Sequence, residues 1–357
     1  MRHFSVSLVV LLLTIAACGQ HPTAPSAAFD AAAVPGGATA SGTASPLDVR
    51  ALTGRATNAL TGAGASGVTI RIAEVGDLVA DADGNFSLQT EAPDGRYRLT
   101  ASGAGVVERQ TSLVFPGLPV TLPLIPTGFH AQAFDQFARS YGQPDVLERW
   151  LEAPALVVEM SLLDRAASLD AAGLPLDTLI ASAEQQSEAA VNDLVAQLTR
   201  ALPLLTGGQF TAFSVVSMQT TAAGAAVESL NRGAITVARY PRGGGQCRGF
   251  GQVAPNAEHV VVAGRIGLEV CTDALAGPVA AHELGHALGY GHVSAMSSVM
   301  TAIVTVDVTE FDRQAAAIAY QRAPGNRAPD VDPETFTVNQ PLPAPAPSGW
   351  IIAPALP

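Results

Sequence analysis

The chain has 357 residues, of which 48% are hydrophobic and 14% are charged, and its formal net charge at pH 7 is −12. This length allows two domains with substantial hydrophobic cores. The negative charge argues against a nucleic-acid partner, because nucleic acids are bound by basic surfaces.

Residues 1–17 are predicted to be a signal peptide. A positively charged start is followed by an apolar stretch, residues 6–17, that is too short to span a bilayer as a mature helix. The stretch ends in Ile15-Ala16-Ala17-Cys18, which resembles a bacterial lipobox. The resemblance implies that Cys18 becomes the lipidated N-terminus. The alternative is an ordinary secretory signal with Cys18 as a free thiol.

The lipobox resemblance also predicts where the protein resides. Gly19 follows the cysteine, in place of the aspartate associated with retention in the inner membrane. An exported lipoprotein of the cell envelope, anchored in the outer membrane by its N-terminal lipid, is therefore expected. Residues 18–47 contain mainly Ala, Gly, Ser, Thr and Pro, a composition that predicts a flexible linker.

Residues 48–126 are predicted to form a small all-β sandwich. Residues 68–72 alternate polar and apolar side chains, as a half-buried strand does. Residues 81–85 read as a turn rather than a calcium loop, because Phe86 and Ala92 stand where that loop needs glycine and glutamate. Further strands are predicted at 86–88, 97–101 and 119–124. The pattern GRA…GVTIRI…DADGNFSL…GRYRLTAS resembles the carboxypeptidase regulatory-like (transthyretin-like) domain.

Residues 127–325 are predicted to form the catalytic domain, in which strands and helices are mixed. Its predicted strands are 155–162, 211–218, 234–240 and 260–262, and its predicted helices are 183–202, one that begins near 275–278, and 310–320 with Thr309 as the N-cap.

Residues 282–292, HELGHALGYGH, carry the strongest chemical pattern of the chain. His282 and His286 are four apart, so a helix presents both imidazoles on one face. Glu283 can reach a water bound to the same metal ion. Gly289 permits a sharp exit from the helix, which can bring His292 back as a third ligand. Three protein ligands leave one position open, as in catalytic rather than structural zinc sites.

The H-E-x-x-H-x-x-G-x-x-H string resembles the zinc motif of the metzincin metallopeptidases. The resemblance implies an α+β zincin fold with a mixed sheet and an active-site helix, a bound Zn²⁺, and a methionine turn beneath the metal. Met300 is the candidate for that turn, with a matrixin-like gap from His292, and Met296 is the nearer alternative. Val293 and Thr301 stand where named branches carry other residues, so the branch stays open.

The implied activity is zinc-dependent endopeptidase cleavage of extracytoplasmic proteins or peptides, with Glu283 as general base. The strand at 260–262 is predicted to pair with an extended substrate. No second residue is assigned to stabilise the oxyanion, because Thr301 stands where a tyrosine is common and the sequence does not give the direction of Tyr290. One alternative is a surface-anchored zinc-containing binding or adhesion module without turnover. Another is a maturation factor that cuts a single partner. The oligomeric state is not predicted.

Two cysteines remain if Cys18 is lipidated. Cys247 and Cys271 of an exported protein are predicted to form a disulfide, which would stabilise the fold by ~3 kcal/mol for a loop of this length. The alternative is that Cys247 acts as an inhibitory thiolate on the zinc.

Residues 326–357 are predicted to be a Pro-rich tail. Proline alternates with small residues over 341–347, a pattern typical of extended chain. Asp330-Val331-Asp332 is interpreted as a solvated acidic loop rather than a calcium site.

Overall fold

The computed structural model describes residues 49–141, 145–171, 173–244, 247–271 and 274–340. The predicted signal peptide, the linker, Cys18 and residues 341–357 lie outside this description. The chain divides into two units, Met1–Leu47 and Asp48–Pro357. Within the described ranges, no helix is long and apolar enough to cross a membrane.

Two small sheets at the start of the described chain enclose a hydrophobic core of their own. One has the strand order β4-β1-β7 and the other the order β3-β2-β5-β6. Alternate residues of these strands, such as Ile70 and Ile72 or Leu99 and Ala101, are fully buried between the sheets. The strands are β1 (Arg50–Asn58), β2 (Thr69–Ile72), β3 (Gly76–Val79), β4 (Asn85–Thr90), β5 (Gly95–Ser102), β6 (Arg109–Phe115) and β7 (Val120–Leu124).

The predicted strands at β2, β4, β5 and β7 are confirmed, and the turn between β3 and β4 is as expected. Asp81 accepts hydrogen bonds from the backbone N–H groups of Asp83 and Asn85, which closes the turn. The strands β1, β3 and β6 were not predicted, since only weak alternation marks them.

A mixed sheet dominates the second half of the described chain. Its strand order is β11-β9-β8-β12-β14-β13, with β10 beside β8. Strands β8, β10, β12 and β14 run parallel, whereas β13 is antiparallel to β14. The strands are β8 (Ala155–Leu163), β9 (Leu179–Gln185), β10 (Val216–Gln219), β11 (Ala226–Val227), β12 (Ala234–Tyr240), β13 (Gly249–Pro255) and β14 (Val261–Glu269).

Five helices accompany this sheet in the described residues: α1 (Ala131–Ala138), α2 (Arg165–Ser168), α3 (Glu188–Leu204), α4 (Ala276–Leu288) and α5 (Glu310–Tyr320). Helix α5 is confirmed together with its cap, because Thr309 and Asp312 form a capping box.

Two elements begin five residues later than predicted. The helix predicted from residue 183 begins at Glu188, since Ser187 caps it and residues 183–185 complete β9. The strand predicted over 211–218 is shorter and begins at Val216. In both cases hydrogen bonds to distant strands, which periodicity does not reveal, set the boundary.

The segment after residue 325 is packed against the rest of the protein as far as residue 340. Asp330 and Asp332 are buried, so the prediction of a solvated acidic loop is wrong. Arg322 donates to both oxygens of Asp330 at 2.6 and 2.8 Å, and Arg109 of β6 donates to Asp332 at 2.9 Å. Burying a carboxylate is costly unless it is paired in this way. The segment is therefore held to β6 and to the end of α5 by charge.

Replacing Asp332 with asparagine is expected to lower the free energy of unfolding by about 3–5 kcal/mol, because it leaves the Arg109 guanidinium buried without its counter-charge. Chemical denaturation at pH 7 measures this. The matched control is Asp77→Asn, which breaks the exposed pair with Arg71 and should cost at most about 1 kcal/mol. If both variants lost the same free energy of unfolding, Asp332 would not form a buried ion pair with Arg109.

The same ion pair predicts a pH dependence. Burial raises the pKa of Asp332, but Arg109, Arg322 and Asn326 together outweigh burial and hold that pKa below its ordinary value. The lowered folded-state pKa means that the pair stabilises the protein above the unfolded-state pKa and loses that effect as the pH falls through the folded-state pKa. The Asp332→Asn variant should lack this part of the acid destabilisation.

Candidate metal centre

Helix α4 and the turn after it bring the three predicted ligand histidines together. His282 and His286 lie one turn apart on α4, and both are buried. The helix ends at Gly289, whose φ of 104° lies in the left-handed region. A Cβ at this position would collide with the carbonyl oxygen of Glu148, so glycine is needed for space as well as conformation. The turn returns the chain so that His292 faces His286.

The three imidazoles direct one nitrogen each at a common point. His286 Nε2 lies 3.1 Å from His282 Nε2 and 3.1 Å from His292 Nε2. His282 Nδ1 lies 2.7 Å from the Val299 carbonyl oxygen, and His286 Nδ1 lies 2.7 Å from the Tyr290 carbonyl oxygen. A carbonyl only accepts hydrogen bonds, so both Nδ1 atoms carry the proton and both Nε2 atoms present lone pairs.

Burial keeps these histidines neutral. It lowers the pKa of His282 to about 4, lowers that of His286 well below its ordinary value, and lowers that of His292. Neutral imidazole is the form that binds metal.

The donor set fits a zinc ion. Ligand nitrogens 2.0–2.1 Å from a tetrahedral zinc are about 3.4 Å apart, close to the 3.1 Å seen between the Nε2 atoms. Lone pairs at this distance repel each other unless a cation lies between them. Within the described residues, His282, His286 and His292 form the one such group of His, Cys, Asp or Glu side chains.

Glu283 adjoins the three ligands and is itself buried. Its Oε2 atom has no hydrogen-bond partner among the described residues, and burial raises the pKa of the carboxyl group well above its ordinary value. A Cβ on Gly249 of β13 would lie 2.6 Å from Glu283 Cγ, so the strand passes directly over this side chain. An unpartnered carboxylate oxygen beside a metal site is suited to accept a proton from water.

Met300 lies beneath helix α4 and is fully buried. A Cβ on Gly285 would collide with Met300 Sδ, which explains the glycine within the HELGH string. Met296 is only partly buried and packs at the margin of the core. The Val293 N–H donates to the Met300 carbonyl at 2.8 Å, which links the ligand turn to the methionine turn.

The Asp312 carboxylate of α5 fixes the methionine turn. It accepts hydrogen bonds from the Ser298 hydroxyl, from the Val299 N–H at 2.9 Å and from the Thr309 N–H at 2.7 Å. Because the Val299 carbonyl in turn accepts a hydrogen bond from His282 Nδ1, Asp312 orients a ligand imidazole through one residue, Val299.

A cleft of about 1350 Å³ opens over the histidines, and β13 forms one wall. The prediction that residues 260–262 pair with substrate is wrong, because this segment is hydrogen-bonded on both sides, to the end of β13 on one side and to Arg149 and Gly233 on the other. In the described part of the chain, β13 is the edge strand of the sheet next to the cleft. A disulfide between Cys247 and Cys271 joins the chain just before β13 to the chain just after β14. Neither sulfur is then available as a thiolate.

Tyr141 reaches the cleft, whereas Tyr290 does not. Tyr290, which lies within the motif, is fully buried and donates its hydroxyl to the Leu205 carbonyl at 2.7 Å, in the core. Tyr141, far from the motif in sequence, lines the cleft and stacks on His286, with ring centroids 4.9 Å apart. Sequence reasoning missed Tyr141, since no local pattern marks it.

Comparison with known proteins agrees with the site. The model of the matrixin family matches residues 265–321, a stretch that contains α4, the three histidines and Met300. This short match supports a zinc metallopeptidase in general terms. No curated protein matches the chain. Among solved structures, 5-hydroxyisourate hydrolase of Klebsiella pneumoniae shares 23% identity over 21% of this chain and 84% of that chain, with a TM-score of 0.18.

Proposed function

We propose that the chain is a zinc-dependent endopeptidase that hydrolyses extracytoplasmic proteins or peptides. One observation carries the proposal: the Nε2 atoms of three histidines, two of them buried, converge beside a buried Glu283 carboxylate whose Oε2 has no partner in the described chain. The matrixin match over the same stretch supports it. His282, His286 and His292 would hold the ion, and an open cleft wide enough for a peptide lies above them.

The metal site, Glu283 and strand β13 have separate roles in the proposed hydrolysis. When bound, a zinc ion polarises the scissile carbonyl and lowers the pKa of water. Glu283 removes the proton from the attacking water and later delivers it to the nitrogen of the leaving amine. The outward edge of β13 offers backbone groups to an extended peptide, which orients the scissile bond over the site.

An unbiased peptide library tests the proposal. The zinc-loaded full chain, kept soluble in detergent, is incubated with the library and new termini are identified by mass spectrometry. Cleavage that stops on chelation and returns with added zinc is expected. If the zinc-loaded chain leaves the whole library and an extracytoplasmic proteome uncut, the proposal fails.

We further propose that the protein is an outer-membrane lipoprotein anchored through Cys18. The support is the Ile15-Ala16-Ala17-Cys18 string with Gly19 behind it. A diacylated N-terminal cysteine would place the cleft outside the cytoplasm, where a disulfide such as Cys247–Cys271 persists.

Metabolic labelling tests the anchor. Radiolabelled palmitate is expected to enter the wild-type protein and to be absent from Cys18→Ser, because the thiol that receives the lipid is gone. Cys247→Ser serves as the matched control and should keep the label. Label in Cys18→Ser would refute the lipoprotein assignment.

A further inference from the structure

Tyr141 bridges the metal site and the edge of the sheet. Its ring lies over the His286 imidazole at an interplanar angle of 23°. Its hydroxyl donates a hydrogen bond to the carbonyl oxygen of Gly251 in β13.

The Gly251 carbonyl lies on the edge of β13 that no further strand covers in the described part of the chain. The Arg248 carbonyl accepts from the Glu269 N–H of β14, and pairing groups alternate along an antiparallel strand. Residues 248, 250 and 252 therefore face β14, whereas Gly249, Gly251 and Val253 direct their N–H and C=O groups away from it. These outward groups are the ones that an added substrate strand pairs with. Tyr141 already occupies one of them.

The geometry also fixes which end of a substrate meets Tyr141. Gly249 passes over Glu283, while a Cβ on Gly251 would contact His286 Cβ. Glu283 delivers a proton to the leaving amine, so the amine side of the scissile bond lies towards Gly249. The acyl side then lies towards Gly251 and Tyr141. At about 3.3 Å per residue, the position facing Gly251 is two residues further along the acyl side.

We propose that Tyr141 is a specificity-determining residue. It blocks the position on β13 where the acyl side of a substrate would form backbone hydrogen bonds. The enzyme therefore selects peptides by the residues on the leaving-amine side of the scissile bond. This rests on the proposed peptidase function. Substrate residues beyond about the second on the acyl side cannot bind the Gly251 carbonyl, because Tyr141 already donates to it, and the Tyr141 ring fills the space above His286. Residues on the amine side meet the open edge at Gly249.

Chelating peptides measure the two sides of the cleft without turnover. One series carries a hydroxamate at the C-terminus of one to four residues and occupies the acyl side. The other carries the hydroxamate at the N-terminal end of one to four residues and occupies the amine side. Dissociation constants are measured calorimetrically with the zinc-loaded full chain. In the wild type, affinity should rise with each amine-side residue but level off after about two acyl-side residues.

Tyr141→Phe keeps the ring and releases the Gly251 carbonyl, and Tyr141→Ala removes the ring as well. Both should make the third and fourth acyl-side residues tighten binding, by about 3- to 10-fold for one regained hydrogen bond. The amine-side series should not change. Tyr97→Phe is the matched control, because Tyr97 also donates to a backbone carbonyl, that of Pro93, but lies in β5.

Three results would overturn the inference. Wild-type affinity that climbs steadily over four acyl-side residues would show that the position is open. An unchanged length dependence in both Tyr141 variants, with the amine-side series binding normally, would remove Tyr141 from specificity while the peptidase function stands. Failure of both series to bind the zinc-loaded wild type would reject the peptidase function and, with it, the role of Tyr141.

Discussion

Replacing Glu283 with glutamine is expected to lower kcat/KM for peptide hydrolysis by about 10²- to 10⁴-fold, the range that general acid–base catalysis contributes. Glutamine has nearly the same shape but cannot take a proton from water. The three ligand histidines are untouched, so zinc content should stay as in the wild type. Rates on a cleaved library peptide, together with metal analysis by mass spectrometry, measure both quantities.

The fold of this variant should survive. Glu283 is buried and its Oε2 atom has no partner in the described chain, so a neutral amide relieves the cost of burying charge. A melting temperature at or above that of the wild type is expected. Glu152→Gln, an exposed carboxylate outside the cleft, is the control and should keep full activity. Equal rates for Glu283→Gln and wild type would reject Glu283 as the general base.

The ligand arrangement was predictable because it is local. A helix alone places His282 and His286 on one face, and one left-handed residue, Gly289, turns the chain back to His292. The capping box of Thr309 and Asp312 is equally local. These features depend on residues within about ten positions of each other, where spacing determines geometry.

The wall of the cleft was not predictable in the same way. Strand β13 was missed because Gly249 and Gly251 interrupt its pattern, and both glycines exist to let the strand approach Glu283 and His286. Because β13 is not recognisable in the sequence, the strand at 260–262 is the one predicted to pair with substrate. Strand order in a sheet depends on pairing between distant segments, which periodicity does not encode.

Long-range partners also explain the buried acidic segment and Tyr141. Asp330 and Asp332 look solvated beside the proline-rich tail, but Arg322 and Arg109 meet them in the fold. Tyr141 lies more than a hundred residues before Gly251, whose carbonyl it binds. In each case the environment and the hydrogen-bond partner of the residue come from a contact that forms only in the tertiary structure.

Replacing His286 with alanine is expected to abolish both zinc binding and peptide cleavage. His286 is the central ligand, since its Nε2 lies 3.1 Å from those of both His282 and His292. The variant would keep two imidazoles, fewer than the three protein ligands of catalytic zinc sites. Metal analysis after dialysis should find about one zinc per chain in the wild type and nearly none in the variant.

Loss of zinc must be separated from loss of fold. His286 also donates to the Tyr290 carbonyl and supports the ring of Tyr141, so some destabilisation is expected. The proper reference is therefore the chelator-treated wild type, whose circular dichroism the variant should match. His259→Asn is the control, because His259 lies outside the cleft at a positive φ that asparagine tolerates. It should keep its zinc. A fully zinc-loaded His286→Ala protein would mean that other side chains hold the metal, and the cleft chemistry built on His282, His286 and His292 would have to be abandoned.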